Sequence, residues 1–321
     1  MRPSTARGVI FQAFTSTPTP TIRTLSISAD AHRVADLLSD CKHVVAITGA
    51  GISTESGIPD YRSPTGSFSR GFKPMVHDEF INHQLKRSRY WARSMLGYHR
   101  FSEAKPNEGH RALASLEKDL GMLGLLISQN VDGLHQKAGS ERVLDLHGRN
   151  DRIVCLGCGH ETHRRSFQAA LEEENRQWVS TYVPSSPAAL QMFSDGDVEL
   201  ENVAFEDFVV PACKHCGGVL KPAVVFYGDV VPTPVVEEAF EAIAAADAVL
   251  VAGTSLMVYS SWRFVSDASK RGKKIVIVNQ GGTRAEKEGI EHVKVEGACG
   301  EVLGGAVHLL KERREGRREG W

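Results

Sequence analysis

Ser128-Gln-Asn-Val-Asp132-Gly-Leu-His135, followed by Leu144-Asp-Leu-His147-Gly-Arg-Asn150 and Cys155-Leu-Gly-Cys158, is the stretch from which the rest of the chain is read. The apolar run Leu123 to Ile127 stops abruptly at Gln129, Asn130 and Asp132. That is the pattern of a buried strand delivering polar groups to the carboxyl edge of a sheet, where open α/β folds bind ligands. Val143, Leu144 and Leu146 form a second short apolar segment that ends in His147. Two strand ends thus point an amide, an acid and a base into one cleft, and the cysteine pair begins a separate module just beyond.

Three more strands fit this plan. His43 to Ile47 runs into Thr48-Gly49-Ala50-Gly51-Ile52-Ser53, and a strand leading into Gly-x-Gly suits a backbone that approaches a pyrophosphate at a helix N-terminus. The third glycine of the usual fingerprint is missing, since Thr54 stands there and Gly57 follows. Taken alone, the loop reads equally well as a tight turn. Ala248 to Ala252 ends in Gly253-Thr254-Ser255, and Ile275 to Val278 ends in Asn279-Gln280-Gly281. Each presents small hydroxyl or amide groups that can hydrogen-bond a ribose or adenine. Helical patterns over Asp30–Leu38, Val235–Ala246 and Ser260–Lys270 alternate with the strands. The expected fold is therefore α/β: a doubly wound parallel-sheet, Rossmann-like large domain over residues 30–150 and 218–310. A polar insertion over about 60–120 reads as a mobile glycine-rich loop, Thr65 to Phe72, followed by helices.

The chain has 321 residues, 41% of them hydrophobic, with Lys+Arg 38 against Asp+Glu 39. It is long enough for a large and a small core. The balanced charge gives no field for a phosphate backbone, which argues against nucleic acid as a partner. No run of eighteen apolar residues is present to span a membrane. Of six cysteines, Cys41 and Cys299 stand alone while Cys155/Cys158 and Cys213/Cys216 form two C-x-x-C pairs around a second insertion, residues 151–217. Four thiolates complete the closed tetrahedral set of a structural zinc, whereas a catalytic zinc needs an open position and a redox role needs only one pair. His160, His163 and His215 lie nearby and read as surface residues, because four cysteines already saturate a metal.

Residues 1–29 carry Arg2, Arg7 and Arg23, many Ser and Thr, and no acid before Asp30. This composition predicts a mitochondrial transit peptide and hence a matrix location, with a disordered tail as the alternative. Glu172 to Asp207 is acidic, with Pro184 to Pro187 and Asp195-Gly-Asp197, and reads as an extended loop on the small domain. The alternating charges of residues 311–321 read as a solvated helix end or disordered tail.

Gly49-Ala-Gly-Ile-Ser53, Gly57-Ile-Pro-Asp-Tyr-Arg62, Gln129-Asn-Val-Asp132, Leu146-His-Gly148, the two cysteine pairs, Lys221-Pro-x-Val-Val-Phe226, Gly253-Thr-Ser255 and the strand end at Val278-Asn279 occur in the order of the sirtuin family, which this chain resembles over nearly all its length after the leader. Tyr90-Trp-Ala-Arg93, the acidic insert and Phe226-Tyr-Gly-Asp229 are similar to the mitochondrial sirtuin-4 type. The resemblance implies an NAD-dependent protein-lysine deacylase that consumes NAD, releases nicotinamide and leaves the acyl group on ADP-ribose. Its partners would be acyl-lysine proteins.

By resemblance, His147 is the general base, Asp132 binds the carboxamide, and Asn130, with Gln129 and Val131 beside it, meets the ribose. Gly49, Ala50 and Gly51 cradle phosphates next to Ser53. Asp60, Tyr61, Arg62 and the loop to Phe68 form a lid, with Phe68 a shield against water. Gly253, Thr254, Ser255, Asn279, Gln280 and Gly281 meet the adenosine half, near Cys299. Val225, Phe226 and Tyr227 form a strand that pairs with substrate backbone. Tyr90 and Arg93, three apart on one helix face, would reach an acidic acyl chain, unless Arg93 belongs to the basic face of Lys86, Arg87 and Arg89. Two other readings stay open: a mono-ADP-ribosyltransferase using the same NAD site, and a non-catalytic zinc and nucleotide scaffold.

Overall fold

A computed structural model describes residues 28–183 and 190–319. All but the last two residues of the expected leader, and Pro184–Pro187 of the acidic stretch, lie outside them. In chain order the strands are β1 (Val44–Thr48), β2 (Leu123–Ser128), β3 (Val143–Asp145), β4 (Gly148–Cys155), β5 (Glu161–His163), β6 (Leu220–Val224), β7 (Ala248–Ala252), β8 (Lys274–Val278) and β9 (Val293–Val295). The helices are α1 (Ala29–Leu38), α2 (His77–Asn82), α3 (Gln84–Ser102), α4 (Glu108–Lys118), α5 (Leu134–Lys137), α6 (Arg164–Glu174), α7 (Arg176–Tyr182), α8 (Thr233–Ala245), α9 (Tyr259–Lys270), α10 (Arg284–Lys287) and α11 (Cys299–Glu319).

Six strands form a parallel sheet in the order β3-β2-β1-β7-β8-β9. Its strands are apolar on both faces because helices cover both. Val44, Ala46, Leu250, Val276 and Val278 face α1, α4 and α11, whereas Val45, Ile47, Val249, Val251, Ile275 and Ile277 face α8 and α9. The register of β1 on β2 shifts between Val44 and Val45, where Leu123 and Leu125 are the partners and Gly124 is the residue passed over. The order reverses between β1 and β7, so the loops after these two strands face each other across a crevice.

The remaining strands form a three-stranded antiparallel sheet, β5-β4-β6. The small module therefore begins at Gly148 and ends at Val224, wider than the 151–217 expected from the cysteines. The first insertion does not stand apart from it. Phe80, Tyr90, Trp91 and Met95 of α2 and α3 share one core with Ile153, Phe167, Leu171, Trp178 and Leu220, and the Trp91 indole N–H donates to the Leu220 carbonyl at 3.3 Å. Both insertions thus build one body.

The acidic stretch also departs from expectation. Its first part is helical, in the end of α6 and in α7, and Asp197 is buried. Arg164 of α6 has no exposed surface, and its guanidinium lies over the rings of Trp91, Tyr98 and Phe167 at 5.2, 4.6 and 5.9 Å. The charged tail continues α11 to Glu319, as a solvated helix end.

Candidate active site

The two loops at the reversal point are fitted glycine to glycine. Gly51 N–H donates to Gly253 O at 2.8 Å, and a Cβ on Gly51 would lie 2.8 Å from that same oxygen. A Cβ on Gly49 would lie 2.6 Å from Thr254 Cβ, and Gly253 has φ +62°. Any side chain here would part the loops, which explains Gly-x-Gly without a third glycine. Behind them, the helix that starts after β1 is a 3₁₀ helix, Ala50–Ser56, with Gly49 at its N-terminus.

A cavity of about 910 Å³ opens over these loops. Gly49, Ala50, Gly51, Asp60, Tyr61 and Arg62 line one part of it, and Gly253, Thr254, Ser255, Asn279, Gln280, Gly281 and Cys299 line another. The Cys299 thiol is pushed up to about 12 by burial and by Glu55, so it stays protonated. The Gln129 amide donates to Thr48 O at 3.0 Å and to the Thr254 hydroxyl at 3.1 Å, tying β1, β2 and β7 together at the cavity floor. The Asn130 amide donates to Gly49 O at 3.0 Å and to Ser53 Oγ at 3.2 Å. Val131 lines the same wall.

His147, two residues past β3, is held at both ring nitrogens. Nδ1 lies 2.9 Å from the Gln129 carbonyl and Nε2 2.7 Å from Ser260 Oγ. A carbonyl only accepts, so Nδ1 carries the proton and Nε2 keeps its lone pair, accepting from the serine hydroxyl. Burial, followed by the nearby Arg263 charge, holds the imidazole pKa below its ordinary value and keeps it neutral, although the Gln129 bond acts the other way. A neutral imidazole with its lone pair at a cavity wall can act as a general base. Ser260 is a residue that sequence reasoning placed only in a helix; no spacing signals a bond spanning 113 positions.

Asp132 and Ser53 are not on the main cavity. They line an annex of about 30 Å³ behind Asn130 and Val131. Ser53 Oγ donates to Asp132 Oδ2 at 2.7 Å, and Leu134 N–H donates to Oδ1 at 2.9 Å. Burial raises the Asp132 carboxyl pKa against these two bonds. Next to the annex His110 Nε2 lies 3.4 Å from Ser53 Oγ and His135 Nε2 lies 2.9 Å from Thr48 Oγ1.

Three expected placements are corrected. Phe68 does not line the cavity: it packs behind Tyr61 and Phe72, with ring centroids 5.4 and 6.2 Å away, and Phe72 forms the wall. Tyr90 lines the cavity but Arg93 does not. Arg93 Nε donates to Val198 O at 2.8 Å, and its guanidinium packs over Phe72 and Phe193 at 5.8 and 5.4 Å. One helix turn carries both residues, yet only Tyr90 is turned to the opening. Val225, Phe226 and Tyr227 line the mouth but follow β6 outside any sheet. Val225 N–H donates to His147 O at 2.9 Å, and Tyr227 makes an isolated parallel bridge with Val76. Such an extended segment leaves backbone groups for an added strand.

Away from the cavity, Cys155, Cys158, Cys213 and Cys216 bring their sulfur atoms within 4.8 Å of one another. A tetrahedron of ~2.3 Å zinc–sulfur bonds has edges of about 3.8 Å, and Cys158 and Cys213 lie 3.8 Å apart, Cys155 and Cys216 3.4 Å. The four cysteines fit a zinc site. The exposed rings of His160 and His215 meet at a tilt of 41°, with centroids 3.9 Å apart, and are not part of the sulfur cluster.

The Sir2 family profile matches residues 49–260. The NAD-dependent protein deacetylase of Xanthomonas axonopodis pv. citri is 47% identical over 274 residues, covering 85% of this chain and 90% of that protein. The NAD-dependent protein deacetylase 2 of Bradyrhizobium diazoefficiens is 46% identical over 268 residues, covering 84% and 94%. A structure solved for the mechanism and regulation of Sir2 enzymes superposes with a TM-score of 0.68 at 34% identity, covering 89% of this chain and 99% of that one. A Sir2 structure with p53 peptide and NAD+ does so with 0.65 at 29% identity, covering 88% and 98%. By the family profile and by identity over most of its length, the chain belongs to the Sir2, or sirtuin, family.

Proposed function

We propose that this protein is an NAD-dependent protein-lysine deacylase that removes acetyl and longer or acidic acyl groups. The observation that carries the reading is His147, neutral, with Nδ1 committed to a backbone carbonyl and Nε2 turned to a cavity whose floor is Gln129 and Asn130. Relatives named as NAD-dependent protein deacetylases, and a Sir2 structure holding a p53 peptide with NAD+, support it.

NAD supplies a glycosidic bond whose cleavage releases nicotinamide and leaves ADP-ribose to accept the acyl group. The chain's own residues do the rest. Gly49 and Gly51 let a phosphate approach backbone N–H groups. Asn130, fixed by Gly49 O and Ser53, orients the ribose, and Asp132 in the annex presents a carboxyl to an amide. His147 Nε2 takes a ribose hydroxyl proton so that the oxygen can attack the transferred acyl carbon. Phe72 and Tyr61 exclude water from that wall. Val225 to Tyr227 pair with the substrate backbone, which gives affinity with little dependence on sequence.

We place the protein nearest the mitochondrial sirtuin-4 type on Tyr90-Trp-Ala-Arg93, the acidic insert and Phe226-Tyr-Gly-Asp229, and in the mitochondrial matrix on its basic, acid-free start. The relatives named above are bacterial, and the subtype rests on those motifs alone.

Mass spectrometry of the products from NAD and an acetyl-lysine peptide tests the chemistry. Acetyl-ADP-ribose is expected, and His147→Ala should lower turnover by about 100-fold or more while calorimetry still detects NAD binding. ADP-ribosylated protein without acetyl-ADP-ribose would mean a transferase instead, and no nicotinamide release would mean a scaffold.

A further inference from the structure

Lys221 opens the motif that leads to the cavity mouth, yet the chemistry at His147 gives it no task. It lies on β6 with 5% of its surface exposed, and an ammonium is tolerated in such a place only when it is paired and hydrogen-bonded. Its partners all fall on the segment that follows. Nζ donates to the Val224 carbonyl, stands 4.4 Å from the centroid of the Phe226 ring and lies 3.5 Å from Asp229 Oδ2. Burial holds the ammonium pKa below its ordinary value, and Asp229 acts the other way. One ammonium thus holds the beginning, the middle and the end of residues 224–229.

The chain has to fold back for this. Asp229 N–H donates to Phe226 O at 3.0 Å, and Gly228 has φ +81°, the left-handed conformation that a type II turn requires at its third residue. The turn returns the Asp229 carboxylate to Lys221. The same oxygen, Oδ2, lies 3.0 Å from His77 Nδ1 of α2, while Oδ1 accepts from the Val230 N–H at 2.9 Å. His77 N–H in turn donates to Tyr227 O at 2.9 Å. The residues enclosed by these bonds are the ones at the mouth. Val225, Phe226 and Tyr227 line the cavity, and the Phe226 ring packs against Phe80 and Tyr90 with centroids 5.3 Å from each. They follow β6 beyond its ladder, so their extended course depends on how the two ends are fixed.

We propose that Lys221 and Asp229 are positioning residues for the acyl-lysine peptide: their ion pair holds residues 225–227 extended before substrate arrives, so that the peptide backbone can add to them as a strand. Ordering done in advance is ordering that binding does not have to supply. The effect falls on peptide affinity and not on the base, because the His147 ring is held independently by Gln129 and Ser260. This inference rests on the deacylase reading.

The test uses two acetyl-lysine peptides of one sequence, one of them N-methylated on the backbone nitrogens at and beside the acetyl-lysine, so that it has no N–H to give to a strand. The quantity read is the ratio of kcat/KM for the plain peptide to that for the methylated one, because loss of folded enzyme or damage to the cavity lowers both and cancels. Wild type should favour the plain peptide by about ten-fold or more, the worth of one or two hydrogen bonds. Lys221→Met keeps the stem and removes the charge; Asp229→Asn acts from the partly exposed end and keeps an oxygen for the Val230 N–H. Each should lower the ratio by about three-fold or more, through a higher KM for the plain peptide with kcat nearly unchanged. Lys221→Arg, which restores the charge, should regain most of the ratio. Where Lys221→Met does not fold, Asp229→Asn decides. A wild-type ratio near one, or an unchanged ratio in Asp229→Asn, overturns the inference and leaves the deacylase reading standing. A wild type that makes no acetyl-ADP-ribose overturns both.

Discussion

The two nitrogens of His147 have partners of opposite effect. The Gln129 carbonyl fixes the tautomer, while the Ser260 hydroxyl donates to the lone pair that a ribose hydroxyl needs. A donor on Nε2 favours the neutral ring, so its loss raises the imidazole pKa. Ser260→Ala should accordingly move the acid limb of the kcat/KM profile to higher pH by roughly half to one unit, the worth of one ordinary hydrogen bond. A pH-independent loss of rate would reduce Ser260 to a packing residue. At this scale the sequence was legible where a motif sits at a strand end: Gly49, Gln129, Asn130 and His147 all reach the main cavity. It was not legible where the partner is remote. Arg93 has the spacing of a pocket residue, but the Val198 carbonyl and the rings of Phe72 and Phe193 turn it aside, and nothing near position 93 announces them.

Among the elements, five of the six strands of the large sheet were read within about one residue because each is an apolar run that leads into polar groups, whereas β9, three residues long and only partly buried at two of them, was not read. The acidic stretch was misread for the converse reason. Charge was taken as a sign of solvent, whereas Asp197 is buried with Arg93 and Arg164 as counter-charges. The helices around the annex carry a further consequence. His110 caps α4 through Asn107, and His135 lies in α5; their rings are 4.7 Å apart and both are buried. Burial lowers His110 to about 4 and His135 well below its ordinary value. Each folded pKa lies below the unfolded one, so between them the unfolded chain binds more protons. The associated stability is complete above about pH 6.5 and is lost as pH falls toward 4, by about 3 kcal/mol for His110 alone. Urea midpoints should fall steeply between pH 6.5 and 4.5, and His110→Gln should flatten that slope. Parallel curves for wild type and variant would show that some other group governs acid unfolding.

At the scale of the molecule, one cavity is assembled from two bodies. The sheet provides the floor, the zinc-binding module and α3 provide Tyr90, Asn150 and Asp195, and the segment Val225–Tyr227 follows the module's last strand. The cysteine spacing made the module legible, but not its union with the first insertion, because the contact of Trp91 with Leu220 joins positions far apart in the chain. A structural zinc contributes on the order of 10 kcal/mol to a small fold. Cys213→Ser should therefore release the metal, lower the melting temperature of the module and abolish deacylation, although no cysteine sulfur of the cluster touches the cavity. Metal-free protein with native melting and full activity would contradict this. The order of strands has a consequence for synthesis. β1 lies between β2 and β7, and β7 is encoded about 200 residues later, which a ribosome takes roughly 10–40 s to translate. Throughout that interval one edge of a strand that is buried along its whole length in the finished fold has no partner and can pair with another nascent chain. The long excursion between β1 and β7 thus leaves that edge uncovered until Ala252 has emerged.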